Sequence, residues 1–213
     1  MIALFLSAFV TFFVIIDPPG CAPIFASLTS GTTAVHRRAM AMRSVGVATG
    51  ILLVFAIFGE DLFRVLDIGL DAFRVAGGIM LFLIAIDMVF EQRTQRREDR
   101  AKEIERKAAE EERPLEEEDI SVFPMGIPMI AGPGSIATAM LLTSKARGLI
   151  ETLITLGAML SVLALTLIAL LAAAPMMRVL GPKLEAMITR VLGVILAALA
   201  AQFVIDGLKA SFG

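Results

Sequence analysis

Long apolar stretches separated by short polar loops make up most of this chain. Six stretches are each about as long as, or longer than, the roughly 20 residues that a helix needs to cross the hydrocarbon core of a bilayer. Backbone groups that face lipid must be hydrogen-bonded within their own segment, so the pattern predicts six transmembrane helices and an all-α polytopic membrane protein. The predicted spans cover residues 1–30, 40–58, 73–90, 122–144, 149–174 and 187–208.

The chain contains an internal repeat, and both copies place a Pro/Gly break in the middle of an apolar segment. Ile16-Asp17-Pro18-Pro19-Gly20-Cys21 returns 114 positions later as Ile130-Ala131-Gly132-Pro133-Gly134-Ser135. Each half has three spans, so the two halves enter the membrane from opposite sides and are predicted to form two inverted three-helix repeats. Helices 1 and 4 are therefore expected to be interrupted at mid-membrane, with their breaks close together.

Composition agrees with a membrane protein and divides the chain into three parts. Hydrophobic residues make up 57% of the 213 residues, and mean hydropathy is +0.83. Half of the charged residues, 20 of 40, fall within residues 91–119. We interpret residues 1–90 and 120–213 as the two repeats of one membrane domain. Residues 91–119 then form a charged cytoplasmic linker or, alternatively, a partner-docking element.

The distribution of Lys and Arg predicts the orientation in the membrane. The loops on one side, which include residues 91–119, hold 14 of the 19 Lys and Arg residues. The positive-inside rule places that side in the cytoplasm and both termini outside it. The expected location is the cell (inner) membrane. The sequence leaves homo-oligomer formation open.

The break in the fourth segment has the features of a carboxylate site. A helix that begins inside the membrane presents free backbone N–H groups and the positive end of its dipole. Gly132 and Gly134 supply the turn, and Ser135 is expected to cap the half-helix, whose next N–H groups point into the gap. The substrate-binding candidates at the two breaks are Asp17, Gly20, Cys21, Gly132, Gly134, Ser135, Ile136 and Thr138.

Asp17 is the ionisable residue at the breaks, and its counterpart in the second half is Ala131. A carboxyl group inside a membrane is costly unless it is paired or protonated, so it marks a functional candidate. It would hold a substrate ammonium, a coupling Na⁺ or a transported proton. An Asp that precedes Pro at the start of a helix is also typical of an N-cap with no further role. Both interpretations are open at this point.

Other residues in the spans have a structural interpretation beside a functional one. Gln202 lies inside the sixth segment and either forms a hydrogen bond between helices or contacts substrate. Asp87, near the end of the third segment, is expected to reach the interface. Gly77, Gly78 and Gly193 are expected to let helices approach closely.

Several function classes lack the residues that they need. The sequence has one cysteine, Cys21, and one histidine, His36, and it offers no nucleophile–base pair, metal-ligand cluster or phosphate-binding loop. We therefore expect no catalytic residues, no metal site and no cofactor beyond Na⁺ or H⁺ as a coupling ion. No basic, aromatic-rich segment indicates nucleic acid. The expected partners are the lipid bilayer and a small-molecule substrate.

Four motifs follow one another along the chain. They are Asp17-Pro18-Pro19-Gly20…Pro23, Phe73-Arg74-Val75-Ala76-Gly77-Gly78, Phe123-Pro124…Pro128…Ala131-Gly132-Pro133-Gly134-Ser135-Ile136 and Glu185-Ala186…Arg190-Val191-Leu192-Gly193…Gln202-Phe203-Val204-Ile205-Asp206-Gly207. Together they resemble the MarC family of bacterial and archaeal membrane proteins over the whole chain apart from residues 91–119. The family is similar to the LysE-like amino-acid exporters, and members carry Asn or Asp at the position of Asp17.

The resemblance implies transport. SnatA-type members of the family move glycine- and alanine-like substrates with an ion gradient, and their site would correspond to residues 17–20 and 132–135 here. We therefore expect a secondary transporter of small neutral amino acids that binds the substrate carboxylate at the fourth-segment half-helix. The alternatives are an exporter or channel for another small solute, and a membrane scaffold or regulatory protein that transports nothing. We do not expect an enzyme.

Overall fold

The chain folds into helices throughout the part that the structure, a computed structural model, describes. That part comprises residues 1–29, 32–65, 67–90 and 121–212, so the predicted linker at 91–119 lies outside the described residues. No strand occurs within these ranges. The regular helices are α1 (Ile2–Ile16), α2 (Pro18–Leu28), α3 (Ala34–Val65), α4 (Leu70–Val89), α5 (Pro133–Ser144), α6 (Leu149–Leu171) and α7 (Ala173–Phe212).

Five helical stretches within the described ranges have the length and hydropathy of a membrane span. The first of them runs through α1 and α2 across Asp17, and the last covers the apolar part of the 40-residue helix α7. The all-helical membrane fold is therefore confirmed, while the sixth span and the inverted repeat stay predictions. The five stretches are Ile2–Leu28, Ala34–Gly59, Asp71–Val89, Leu149–Leu171 and Met187–Phe212.

The predicted fourth span, residues 122–144, is not one continuous helix. It begins with Ser121–Ile130, an irregular helical segment in which Phe123 (φ −129°, ψ 128°) and Ile127 (φ −130°, ψ 123°) are extended. The regular helix that follows, α5, has 12 residues. At 1.5 Å per residue it is about 18 Å long, well short of the roughly 30 Å hydrocarbon core. α5 therefore cannot cross a membrane alone.

Large apolar side chains lie on the outer surface of several helices. Phe58, Ile168 and Val194 are 59%, 60% and 61% exposed, respectively. A water-soluble monomer rarely exposes extended apolar surface of this kind. Lipid, in contrast, solvates apolar surface without cost, so these side chains are in positions that suit contact with lipid in a membrane protein.

Two clusters of buried apolar side chains hold the helices together, and α1 contributes to both. Phe12 and Ile16 belong to a large cluster formed mainly with α2, α3, α6 and the segment before α5. Val14 and Ile15 belong to a second cluster with residues of α4, α5 and α7. The end of α1 is therefore packed between two groups of helices.

α4 and α7 pack with their backbones in close approach. A Cβ atom at Gly78 would lie 2.7 Å from Cγ2 of Val204 and 2.9 Å from the carbonyl oxygen of Ala200. Nearer the start of α4, a Cβ atom at Gly207 would lie 2.9 Å from the carbonyl oxygen of Asp71. The earlier residue of α4 meets the later residue of α7, so the two helices are antiparallel.

The remaining glycines that the sequence singled out are also packing positions. A Cβ atom at Gly193 would lie 2.9 Å from Cβ of Met88, again between α7 and α4. One at Gly77 would lie 2.7 Å from Cδ1 of Leu141 on α5. The expected close helix approach at these glycines is confirmed.

A methyl group added at Gly78 is expected to destabilise the fold. Gly78→Ala must displace backbone atoms of α7, and overpacking of this kind costs about 1–3 kcal/mol. The apparent melting temperature in detergent should fall. Gly50→Ala is the matched control, because no atom lies within 4 Å of a Cβ at Gly50 and alanine favours a helix. Equal melting temperatures for the two variants would contradict the backbone contact.

Candidate functional site

The chain between α1 and α2 breaks at a single residue. Asp17 adopts the left-handed conformation (φ 58°, ψ 65°), and Pro18 and Pro19 occupy the first two positions of α2. Proline has no N–H group, so the carbonyl of Val14 cannot accept its usual helical hydrogen bond from residue 18. The end of α1 thus presents a backbone acceptor in the interior of the protein, where Val14 is fully buried.

Asp17 caps α2 with its own carboxylate. Its Oδ1 accepts a hydrogen bond from the N–H of Gly20 at 3.1 Å, and its carbonyl accepts one from the N–H of Cys21 at 3.0 Å. The thiol of Cys21 donates to the carbonyl of Ile16 at 3.4 Å. The N–H groups in the first turn of α2 therefore have partners within the break. Of the two interpretations of Asp17, the capping role is observed, while contact with an ion or substrate stays a prediction.

Gly20 leaves room for the capping carboxylate. A Cβ atom at this position would overlap Oδ2 of Asp17 and would lie 2.8 Å from its Cγ. Any larger residue would push the carboxylate away from the helix start. Gly20 thus shapes the cap.

The second half-helix begins earlier than the sequence indicated. Its N-cap is Gly132, which is extended (φ −75°, ψ 171°), and Pro133 is the first residue of α5. Ser135, the expected cap, is instead the third residue of the helix and is 2% exposed. The capping prediction was wrong because a proline at the first helical position starts a helix without help from a side chain.

The start of α5 has backbone donors and no side-chain cap. The N–H of Ile136 donates to the carbonyl of Gly132 at 3.0 Å, so it does not point into the gap as expected. The N–H groups of Gly134 and Ser135 have no carbonyl four residues earlier in the helix, and Gly132 contributes no cap. Ala131, which corresponds to the capping aspartate of α2, has no carboxylate to offer. The two half-helices therefore differ in how their first turns are satisfied.

The two breaks lie next to each other in the interior. Ile16 and Cys21 from the first break and Ile130 from the second belong to one cluster of buried side chains. The start of α5 also meets the end of α1, since a Cβ atom at Gly134 would lie 3.6 Å from Cγ2 of Ile15. A helix C-terminus and a helix N-terminus, which carry partial charges of opposite sign, are thus neighbours here.

Thr138 has a buried hydroxyl group that forms no hydrogen bond with any described residue. The residue lies one turn after Gly134 on α5 and is fully buried, and its Oγ1 has no donor or acceptor among the described residues. The buried Thr166, in contrast, donates to the carbonyl of Val162 on its own helix at 2.8 Å. A buried polar group left unpaired costs free energy and calls for an explanation. Thr138 is therefore a strong candidate for contact with a ligand.

Gln202 forms its hydrogen bond within α7. Its Nε2 donates to Oδ1 of Asp206 on the same helix at 2.6 Å, and the residue is exposed. Asp206 also pairs with Lys145, the residue after α5, at 2.7 Å, and Nζ of Lys145 lies 4.5 Å from the ring centre of Phe203. This ionic link between α5 and α7 was missed at the sequence level. The available signal was the acid itself, because a carboxylate inside an apolar span needs a partner.

Comparison with known proteins gives the family. The family model described as MarC family integral membrane protein matches residues 2–212. A membrane protein of Methanocaldococcus jannaschii is 36% identical over 96% of both chains. The membrane protein YvbG of Bacillus subtilis is 35% identical over 100% of this chain and 97% of its own. The inner membrane protein YhgN of Escherichia coli K12 is 33% identical over 96% and 95%. No solved structure matches. The chain belongs to the MarC family and is a multi-pass integral membrane protein.

Asp17→Ala should destabilise the protein, whereas Asp17→Asn should not. Alanine loses the cap, worth about 0.5–2 kcal/mol, and strains the left-handed backbone by about 1–2 kcal/mol. Asparagine caps a helix about as well and tolerates this backbone. The measurement is the apparent melting temperature of each variant in detergent.

Asp67→Ala is the matched control for the backbone strain. Asp67 is also left-handed (φ 56°), but it lies exposed in the loop between α3 and α4. Asp67→Ala should therefore show the loss of stability that comes from backbone strain, without the loss of a buried cap. A loss of stability in Asp17→Ala no greater than in Asp67→Ala would count against the capping role of the carboxylate.

Proposed function

We propose that this MarC family chain is a secondary transporter of small neutral amino acids such as glycine and alanine, coupled to an ion gradient. The observation that carries the proposal is the contact between the C-terminal end of α1 and the N-terminal end of α5 in the buried interior. The end of α1 offers backbone acceptors and the negative end of a helix dipole. The start of α5 offers backbone donors and the positive end of a helix dipole. A small zwitterion has the matching pair of charges.

The substrate carboxylate would bind at the start of α5. The N–H groups of Gly134 and Ser135 have no helical acceptor, and the N-cap Gly132 has no side chain to supply one. At the corresponding position of α2, the carboxylate of Asp17 accepts a backbone hydrogen bond. The substrate carboxylate would accept hydrogen bonds from the first N–H groups of α5, as the carboxylate of Asp17 does at the start of α2. The hydroxyl of Thr138 would add a donor one turn further along α5.

The substrate ammonium would bind at the end of α1. The carbonyl of Val14 lacks its helical donor because residue 18 is proline, and the carboxylate of Asp17 adds a negative charge to this region. The same carboxylate is the candidate ligand for Na⁺ or H⁺. Asp17, Ser135 and Thr138 are at most 2% exposed, so the proposal favours a substrate with little or no side chain.

The inverted repeat of six helices is part of the proposal. Two sequence-related breaks lie in one buried cluster, and α4 packs antiparallel to α7, its counterpart in the other half. Both features suit transporters that are built from two related repeats around a central site, which opens to each side in turn. This supports transport rather than a scaffold role, since a scaffold needs no buried break.

Thr138→Val should weaken transport without lowering stability. Valine keeps the shape and removes a hydroxyl that has no partner among the described residues, so the fold loses no internal hydrogen bond. A lost hydrogen bond to substrate is worth about 0.5–1.5 kcal/mol, or roughly 2- to 12-fold in apparent affinity. The assay is uptake of radiolabelled glycine and alanine by proteoliposomes under an imposed Na⁺ or H⁺ gradient, with melting temperatures measured in parallel.

Thr166→Val makes the same chemical change at a buried threonine of α6 whose hydroxyl is bonded to its own helix. It should transport like the wild type. Uptake no faster than in protein-free liposomes, under either gradient, would overturn the proposed function. Unchanged affinity in Thr138→Val would instead remove only Thr138 from the site.

Asp17→Asn separates the charge of Asp17 from its cap. The variant keeps the capping oxygen and removes the negative charge, so its fold should be retained. Loss of a charge-assisted contact with the ammonium or the coupling ion should weaken transport by about 1.5–3 kcal/mol, roughly 10- to 150-fold. Wild-type uptake with unchanged dependence on Na⁺ and pH would exclude an ionic role for Asp17.

A further inference from the structure

A cavity of about 490 Å³ lies where α3 begins and α6 ends. Its walls belong to elements other than the two breaks, so it is separate from the proposed transport site. It combines two arginines with apolar side chains. The residues that line it include Ala34, Val35, Arg37, Arg38, Met42 and Leu171.

Among the described residues, no carboxylate pairs with the arginines of this cavity. Arg37 makes one long hydrogen bond, from Nη2 to the carbonyl of Thr32 at 3.5 Å, and its Nε is buried with no partner among the described residues. Arg38 is exposed. The sequence has no Asp or Glu from residue 18 to residue 59, nor from residue 152 to residue 184. The two helices that form the cavity therefore provide no carboxylate near it, and an anion must come from outside them.

The apolar wall places the cavity at the edge of the hydrocarbon layer. Leu171 is the last residue of α6, whose 23 residues form one of the candidate spans. Val35, Met42 and Leu171 are 81%, 52% and 43% exposed. An exposed apolar surface directly beside two guanidinium groups fits a molecule with an anionic head and hydrocarbon chains.

We propose that this cavity binds the phosphate group of an anionic membrane lipid such as phosphatidylglycerol. Guanidinium groups bind phosphate oxygens with two parallel hydrogen bonds, which suits Arg37 and Arg38. Basic pockets between transmembrane helices are sites for anionic headgroups. The acyl chains would lie along Val35, Met42 and Leu171. This site is independent of the proposed transport activity.

The test compares ligands that share parts of this chemistry. The full chain in a neutral detergent is titrated with short-chain phosphatidylglycerol, short-chain phosphatidylcholine or inorganic phosphate, and the apparent melting temperature gives the affinity. Phosphatidylglycerol should bind most tightly. Arg38→Gln should weaken the binding of phosphatidylglycerol about fivefold. The double variant, Arg37→Gln with Arg38→Gln, should weaken it further, by about fivefold for each arginine near the membrane surface.

Arg64→Gln is the control, because Arg64 is an exposed arginine near the other end of α3, where it pairs with Asp61 at 3.2 Å. It should leave phosphatidylglycerol binding unchanged. The single variant Arg38→Gln keeps the test valid if the double variant does not fold, since Arg38 is exposed. Equal binding of the two lipids, equal binding by wild type and Arg38→Gln, or full stabilisation by inorganic phosphate alone would each overturn the lipid site.

Discussion

Backbone groups inside a membrane find no partner in lipid, and this constraint shapes the break between α1 and α2. Pro18 and Pro19 remove two donors from the middle of an apolar stretch. The break supplies its own partners instead: the carboxylate of Asp17 accepts from Gly20, and the thiol of Cys21 donates to the last carbonyl of α1. The left-handed backbone at Asp17 lets one residue end the first helix and cap the next. The backbone and side chain of Asp17 together therefore fix the geometry of this break.

The second half of the chain solves the same problem differently. α5 starts at Pro133 after an N-cap, Gly132, that has no side chain, and Ala131 stands where the first half has Asp17. If both half-helices were capped by a side chain, no free backbone N–H group would be left for a ligand. The difference leaves one donor-rich helix start beside one buried carboxylate. In the proposed transporter, recognition of a zwitterion follows from this difference between the two repeats, a carboxylate at one break and free N–H groups at the other.

Features that repeat along one helix or between the two halves were predictable, whereas a pairing between two particular side chains far apart in the chain was not. Hydropathy is a local property, so the ends of α6 were predicted closely. Gly78 was also correctly interpreted as a packing position. The ion pair of Lys145 with Asp206 joins residues 61 positions apart, and no periodicity connects them. The start of α5 was misplaced at Ser135 because a serine near a break resembles a cap. Only the backbone geometry set by Pro133 decides that boundary.

α4 and α7 pack too closely to rearrange easily. At Gly78 and Gly207 backbone atoms of one helix lie against the other, with no layer of side chains between them to adjust. Such dense packing resists sliding, so the pair would move as one body. The link between α7 and the end of α5 is of another kind. Lys145 and Asp206 have side chains 32% and 34% exposed, and water replaces either partner of such a pair at little cost. In the proposed transport cycle, opening the start of α5 to one side would break this ion pair and leave the glycine contacts intact.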